Sequence, residues 1–316
     1  MPTEIMVVKN LKKYFYISNK ENVHAVDGVS FSIFKGETLG LVGESGSGKT
    51  TVGRCVIRLL EPDDGEIIFK EKNLLKYSKK EMRKIRKDIQ IIFQDPFSSL
   101  DPRKTTEQLI SEPLIIHNYG NKKAIKKKVD DLLNRVNLDR SVINKYTHEL
   151  DGGRCQRIGL ARAIALAPSF LVCDEPVSAL DVSSQAQVMR LLEEFQKEHE
   201  IAYLLISHDL SVVRKLSQRI IVMYLGLFVE IANSNELFEK PLHPYTKALI
   251  SAVPTLDINQ KKHTIILKGD VPTPINPEKG CRFFKRCEYS LKECAHVSPP
   301  LIEKSNGHFV RCHLFN

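Results

Sequence analysis

Gly43-Glu44-Ser45-Gly46-Ser47-Gly48-Lys49-Thr50 is the stretch whose reading decides the fold. It fits G-x-x-x-x-G-K-[ST], a phosphate-binding loop, and its flanks supply the context that motif needs. Upstream, Thr38-Leu39-Gly40-Leu41-Val42 is a short apolar run that reads as a buried strand; downstream, Val52, Val56, Leu59 and Leu60 fall at helical spacing. In a strand–loop–helix unit the glycines let successive backbone N–H groups turn inward around phosphate oxygens, and the helix dipole adds attraction. Lys49 can reach the β- and γ-phosphates and the Thr50 hydroxyl can ligate Mg²⁺, with Thr51 completing the nucleotide-binding set. The expected ligand is a nucleoside triphosphate.

Working outward, Ile5–Val8, Val23–Val26 and Val29–Ile33 alternate with polar breaks and predict antiparallel strands leading into the loop. Tyr14, Phe15 and Tyr16 cluster in the first turn region, where they either pack on an edge strand or offer a ring to a nucleotide base. Beyond the loop helix, a turn at Glu61–Glu66 precedes a strand at Ile67–Phe69 and a charged helix over 78–87. A further strand ends at Gln94, immediately before Asp95-Pro96. The segment 105–150 reads as wholly helical, with Ile125, Val129, Leu132, Leu133 and Val136 on one apolar face. Its lysines Lys122, Lys123, Lys126, Lys127 and Lys128 read as a solvated helix surface, since no aromatics are interleaved. Phe170–Cys173 is a buried strand ending in Asp174-Glu175; Asp181 precedes a helix over 184–199, and Ala202–Ile206 ends at Ser207-His208-Asp209. Strands alternating with helices, each strand ending in a polar group, predict an α/β fold. Its mainly parallel sheet would carry the site at the strands' C-terminal edge.

The strand-end groups carry their own chemistry. Asp174 can hold Mg²⁺ through its water shell, and Glu175 beside it can polarise an attacking water as general base. Gln94 can reach a metal or water, and His208 can donate to a γ-phosphate and stabilise transition-state charge. With 316 residues the chain holds one large domain and an appendix, or two domains, and no apolar run reaches the roughly 18 residues that span a bilayer. The first residues lack a basic region followed by an apolar one, so residence in the cytoplasm is expected. The net charge of +9 fits nucleic acid, an anionic membrane surface or an ordinary solvated exterior. A boundary is expected near 254–262.

Together the phosphate loop, Gln94, Leu150-Asp151-Gly152-Gly153-Arg154-Cys155-Gln156, Asp174-Glu175, Asp181 and His208 resemble, in order, the motifs of ATP-binding cassette (ABC) subunits. Leu242-His243-Pro244-Tyr245-Thr246-Lys247-Ala248-Leu249 and the cysteine-containing tail resemble the oligopeptide/dipeptide importer branch, and Cys155–Gly159 is closest to its second, F-type ATPase subunit. The resemblance implies a P-loop ATPase with a RecA-like sheet, an antiparallel β subdomain, a helical signature subdomain over about 95–158, and a small Cys-rich extension. The cassette would cover 1–255 and the extension 256–316. It implies ATP and Mg²⁺ as ligands, Phe15 stacking on adenine, and Gly152 and Gly153 closing with Asp151 over ATP. Asp181 would signal across a dimer interface, and residues after Gln94 would meet membrane subunits. The implied partners are a second, different ATPase subunit, two transmembrane permease subunits and an extracytoplasmic peptide-binding protein, at the cytoplasmic face of the membrane and without nucleic acid. A soluble ABC ATPase acting on nucleic acid or ribosomes is the alternative; a catalytically silent cassette is disfavoured because Lys49, Asp174, Glu175 and His208 are all present.

Two features stand apart. The signature of such proteins begins Leu-Ser-Gly-Gly-Gln, whereas here it reads Leu150-Asp151-Gly152-Gly153-Arg154. An ionised aspartate cannot donate the serine's hydrogen bond, and at about 4 Å from a phosphate charge it is repelled by roughly 4 kcal/mol at an effective dielectric of 20. Arg154 can offset part of this. In the tail, Cys281, Cys287, Cys294 and Cys312 contain no Cys-x-x-Cys pair, which speaks against a zinc ribbon. Four thiolates there suit an iron–sulfur cluster or Zn²⁺, with bare thiols as the third reading. The family resemblance favours [4Fe-4S], with Zn²⁺ the runner-up.

Overall fold

A computed structural model describes residues 3–18, 20–253, 265–269 and 272–315, so the boundary expected near 254–262 lies outside the described residues. In chain order the first elements are β1 (Glu4–Ser18), β2 (Glu21–Phe34), β3 (Thr38–Val42), α1 (Lys49–Val56), β4 (Asp64–Phe69), β5 (Lys72–Asn73), α2 (Lys79–Ile85) and β6 (Ile89–Ile92). Then come α3 (Thr106–Ile116), α4 (Lys122–Arg135), α5 (Gly152–Ile164), β7 (Phe170–Asp174), α6 (Val182–His199), β8 (Ala202–Ser207) and α7 (Leu210–Leu216). The last are β9 (Arg219–Tyr224), β10 (Leu227–Asn233), α8 (Ser234–Glu239), α9 (Pro244–Ser251), β11 (Ile302–Ser305) and β12 (His308–Val310).

The chain divides into two compact units. One comprises residues 1–5, 33–37 and 76–204. Here β6 runs parallel to β7 with Ile92 opposite Cys173, and all five residues of β7 are buried. Burial on both faces is what a near-continuous apolar run in a parallel sheet predicts. The stretch 105–150 is not wholly helical. α3 stops at Ile116 and α4 at Arg135, and only short 3₁₀ turns follow before Leu150. Asn118 (φ 52°) and Asn137 (φ 54°) take left-handed conformations just past the two helix ends. Asparagine tolerates that geometry, which ends a helix by redirecting the chain. The apolar face of α4 is as expected, with Val129, Leu132 and Leu133 buried and all the named lysines but the half-buried Lys128 exposed.

The other unit comprises 6–32, 38–75 and 205–316. It carries the antiparallel sheet β2-β1-β4-β5. Val23–Val26 and Val29–Ile33 are one strand, β2, rather than two, and Tyr14–Tyr16 lie inside β1 rather than in a turn. β3 pairs in parallel with β9, Leu41 opposite Ile221, and β9 turns back on β10. The chain's last strand, β12, is antiparallel to β10 with Glu230 opposite Val310, and β11 pairs with β12.

A buried ionic knot holds that edge. Glu230, fully buried, accepts from His308 Nε2 at 2.8 Å and from the backbone N–H groups of Leu242 and His243 at 2.7 and 2.8 Å. His308 Nδ1 lies 3.0 Å from Glu236. Burial opposes the imidazolium, but Glu230 and Glu236 outweigh it and raise the His308 pKa above 6.5. A raised folded value means the stabilisation is complete below about pH 6.5 and is lost as pH rises through the folded pKa. Urea unfolding across pH 5–9 should therefore show stability falling through that window, and His308→Gln should flatten the fall.

Candidate functional site

In the second unit the buried strand β3 delivers the chain into the phosphate loop. Gly48 caps α1 at φ 107°, and a Cβ there would sit 2.0 Å from the Ala25 carbonyl oxygen. Only glycine fits a left-handed position with backbone that close. Gly48→Ala should therefore distort the loop, lowering stability by more than ~2 kcal/mol and abolishing nucleotide binding. Thermal melts and ATP titration read the two effects. Lys49 is buried, its Nζ donating to the carbonyls of Gly43 at 2.7 Å and Glu44 at 2.8 Å. Ser47 N donates to Glu44 O at 3.2 Å and Gly226 N to Ser47 O at 2.9 Å, while Ser45 and Gly46 form the exposed tip. Thr50 and Thr51 follow in the first turn of α1, both half-buried.

The neighbouring aromatics divide by role. Tyr14 is tied down, donating to Asp27 at 2.6 Å and resting on His24 with ring centroids 4.2 Å apart. Phe15 keeps 42% of its surface exposed, with Lys13 Nζ 5.8 Å from its ring centre. Tyr16 is more exposed still. His208 is exposed immediately beyond β8, next to Asp209, which caps α7 by accepting from Ser211 N at 2.8 Å.

In the first unit β7 ends on Asp174, which is buried. Glu175 follows at φ 48°, left-handed and half-buried. Such a backbone costs of order 1–3 kcal/mol in a non-glycine residue, and strain of this kind clusters at functional sites. The parallel register of β6 on β7, continued two residues past Ile92 and Cys173, brings Gln94 level with Glu175. Gln94 Nε2 donates to Glu175 Oε2 at 2.7 Å, which fixes one carboxylate oxygen. Thr50 Oγ1, the Asp174 carboxylate and the Gln94 amide oxygen are each hard oxygen donors of the kind Mg²⁺ takes.

Asp151 is the N-cap of α5: Oδ1 accepts from Arg154 N at 2.8 Å and Oδ2 lies 3.3 Å from Arg154 Nε. The helix thus starts at Gly152, as an aspartate before an apolar-periodic run signals. Gly153 packs so closely on α6 that a Cβ would stand 2.8 Å from Ser184 Oγ, and Gly152 is half-buried beside it. Asp181 caps α6, accepting from the backbone N–H groups of Ser183 and Ser184, both at 3.0 Å, and from their hydroxyls at 2.6 and 2.7 Å. The Ser183 hydroxyl first, then the Ser184 N–H and hydroxyl, hold its carboxyl far below the usual range.

The metal expected in the tail is overturned. Among the described residues no group of three or more His, Cys, Asp or Glu side chains is placed to hold a metal ion. All four cysteines are free. Burial pushes the Cys281 thiol up to about 11 and raises Cys287 and Cys312 as well. Cys294 Sγ instead accepts from Leu291 N at 3.4 Å. The [4Fe-4S] cluster expected there is therefore not supported, and no described group is placed for its Zn²⁺ runner-up.

Residues 26–178 match the family described as "ABC transporter", and residues 229–294 match "Oligopeptide/dipeptide transporter, C-terminal region". The chain is 50% identical over 321 residues to the oligopeptide transport ATP-binding protein AppF of Bacillus subtilis (strain 168), covering 99% of this chain and 98% of that protein. It belongs to the ABC transporter ATP-binding family, in its oligopeptide branch. The same cassette is 47% identical over 308 residues to the oligopeptide transport ATP-binding protein OppF of Haemophilus influenzae, covering 96% of this chain and 92% of that protein. A solved dimeric cassette, MJ0796, in a post-hydrolysis state bound to ADP and Pi, aligns with a TM-score of 0.68 at 28% identity, over 73% of this chain and 99% of that one. The cbiO1 cassette of Clostridium perfringens, part of the cbiONQ transporter complex, aligns at 0.66 and 30%, over 75% of this chain and 92% of that one. The α/β cassette fold expected from the sequence is therefore the fold of this chain. The relatives named are transport proteins, which favours the importer reading over action on nucleic acid. No described helix is long and apolar enough to cross a membrane.

Proposed function

We propose that this cassette hydrolyses ATP to power import of di- and oligopeptides through a membrane ABC transporter, working beside a second, different ATPase subunit. The observation that carries the reading is the end-to-end match to oligopeptide transport ATP-binding proteins, cassette and C-terminal region together. The phosphate loop binds the triphosphate through its backbone N–H groups and Lys49. Thr50, Gln94 and Asp174 would hold Mg²⁺, which would supply charge neutralisation on the triphosphate. Glu175 takes the proton of the attacking water, with Gln94 orienting its carboxylate. His208 donates to the γ-phosphate as negative charge builds. Phe15 offers its exposed ring to adenine. Asp151, Gly152 and Gly153 close over the nucleotide of the paired subunit, and Asp181 reports across that pairing. Two permease subunits and an extracytoplasmic peptide-binding protein complete the assembly, with this chain on the cytoplasmic face. Co-purification from the native membrane is the test. Recovery with two membrane proteins and a second cassette is expected, while recovery as a lone species or with ribosomes would contradict the proposal.

A further inference from the structure

Glu44 is an acid inside a loop built to receive a polyanion, and four groups fix it. Its N–H donates to the Tyr245 hydroxyl at 2.8 Å, and its carbonyl accepts from Lys49 Nζ and Ser47 N. Its carboxylate is gripped on both oxygens by Arg286, Nη1 at 2.7 Å and Nη2 at 3.1 Å. Tyr245 and Arg286 lie 201 and 242 residues from Glu44, the first in the opening turn of α9 and the second in the cysteine-containing stretch. The grip is itself supported. The Arg286 side chain is 8% exposed, lies 5.9 Å from the Tyr224 ring centre and donates to Lys268 O at 3.3 Å. Tyr224, Tyr245 and Phe283 pack together beneath it, with centroids 4.7 to 5.5 Å apart. One turn earlier, Arg282 donates to Asp27, the carboxylate that also holds Tyr14.

We infer that Arg286, with Tyr245, clamps Glu44 and so sets the phosphate loop for nucleotide, making the C-terminal region part of the ATP-binding machinery. The inference rests on the reading of residues 43–50 as the ATP site. The bidentate fork satisfies both carboxylate oxygens, leaving Lys49 to serve the terminal phosphates. Without it the Glu44 charge competes for Lys49 and repels the incoming triphosphate. Arg286 is thus a positioning residue, acting on ATP affinity rather than on the chemical step.

Calorimetric titration of the full chain with Mg–ATP tests this. Arg286→Met should weaken binding about tenfold, and Arg286→Lys less, since an ammonium lacks the fork geometry. Glu44→Gln should cost about threefold or less, and the double variant Arg286→Met/Glu44→Gln should recover most of the loss, because neighbours coupled in this way are non-additive. A lowered melting temperature with unchanged affinity in Arg286→Met, or a double variant no better than Arg286→Met, would overturn the clamp. If Arg286→Met does not fold, Arg286→Lys with and without Glu44→Gln decides by the same two results. Lys49→Ala is the control for the loop. A wild-type chain that binds no ATP would overturn the loop reading and the clamp together, whereas ATP bound equally by wild type and Arg286→Met would overturn the clamp alone.

Discussion

Glu175→Gln, in the chain assembled with its partners, is expected to lower ATP turnover about a thousandfold while leaving ATP binding intact, the middle of the range that a general base contributes. The amide keeps the shape of the carboxylate and can still accept from Gln94 Nε2, which now stands 2.7 Å from Glu175 Oε2. It cannot take a proton. The closed, ATP-bound assembly should therefore accumulate. Lys49→Ala should behave oppositely, losing affinity, because it deletes the cation otherwise placed for the terminal phosphates. Single-turnover measurements separate the two, and a Glu175→Gln protein turning over at the wild-type rate would remove Glu175 from the chemistry.

These residues were legible because the signals are local. An apolar five-residue run followed by a glycine loop and a helical pattern needs no tertiary information, and neither does an apolar strand ending in Asp174-Glu175. Gln94 was legible as a strand-end polar group, but its meeting with Glu175 depends on the β6–β7 register, which the strands' sequences do not state. The left-handed Asn118 and Asn137 that break 105–150 into separate helices were missed because an apolar period persists around them. The clamp on Glu44 was invisible, since nothing in an Arg at 286 says which acid 242 residues away it will meet. The cysteine tail misled for a related reason. Spacing along a loop-rich segment does not say whether side chains are placed around a metal, and among the described residues no such group is.

Asp151 leads to the second large effect, an asymmetry between paired ATP sites. Its carboxylate is committed to the start of α5 and to Arg154, so its charge is partly offset, yet it has no proton to donate to a γ-phosphate. Against one phosphate charge at about 4 Å the repulsion is roughly 4 kcal/mol at an effective dielectric of 20, before those offsets. Self-pairing would place this defect in both sites, so a different cassette is the expected partner. With an intact partner signature, the site using this chain's Lys49, Glu175 and His208 hydrolyses, and the partner's own loop, facing Asp151, holds ATP with slow turnover. Glu175→Gln here should stop the pair, while the equivalent change in the partner should cost little. Equal losses would defeat the asymmetry. Asp151→Ser should then raise turnover in the partner's site.

The central claim, that this chain is the ATP-driven motor of a peptide importer, is tested most directly by peptide uptake into vesicles carrying the reconstituted transporter and its binding protein. Labelled di- or oligopeptide should accumulate only with ATP and with this chain present, and turnover should rise when peptide-loaded binding protein is added. Glu175→Gln should abolish both. Uptake that persists with Glu175→Gln, or ATP turnover indifferent to the peptide-loaded binding protein, would contradict the account.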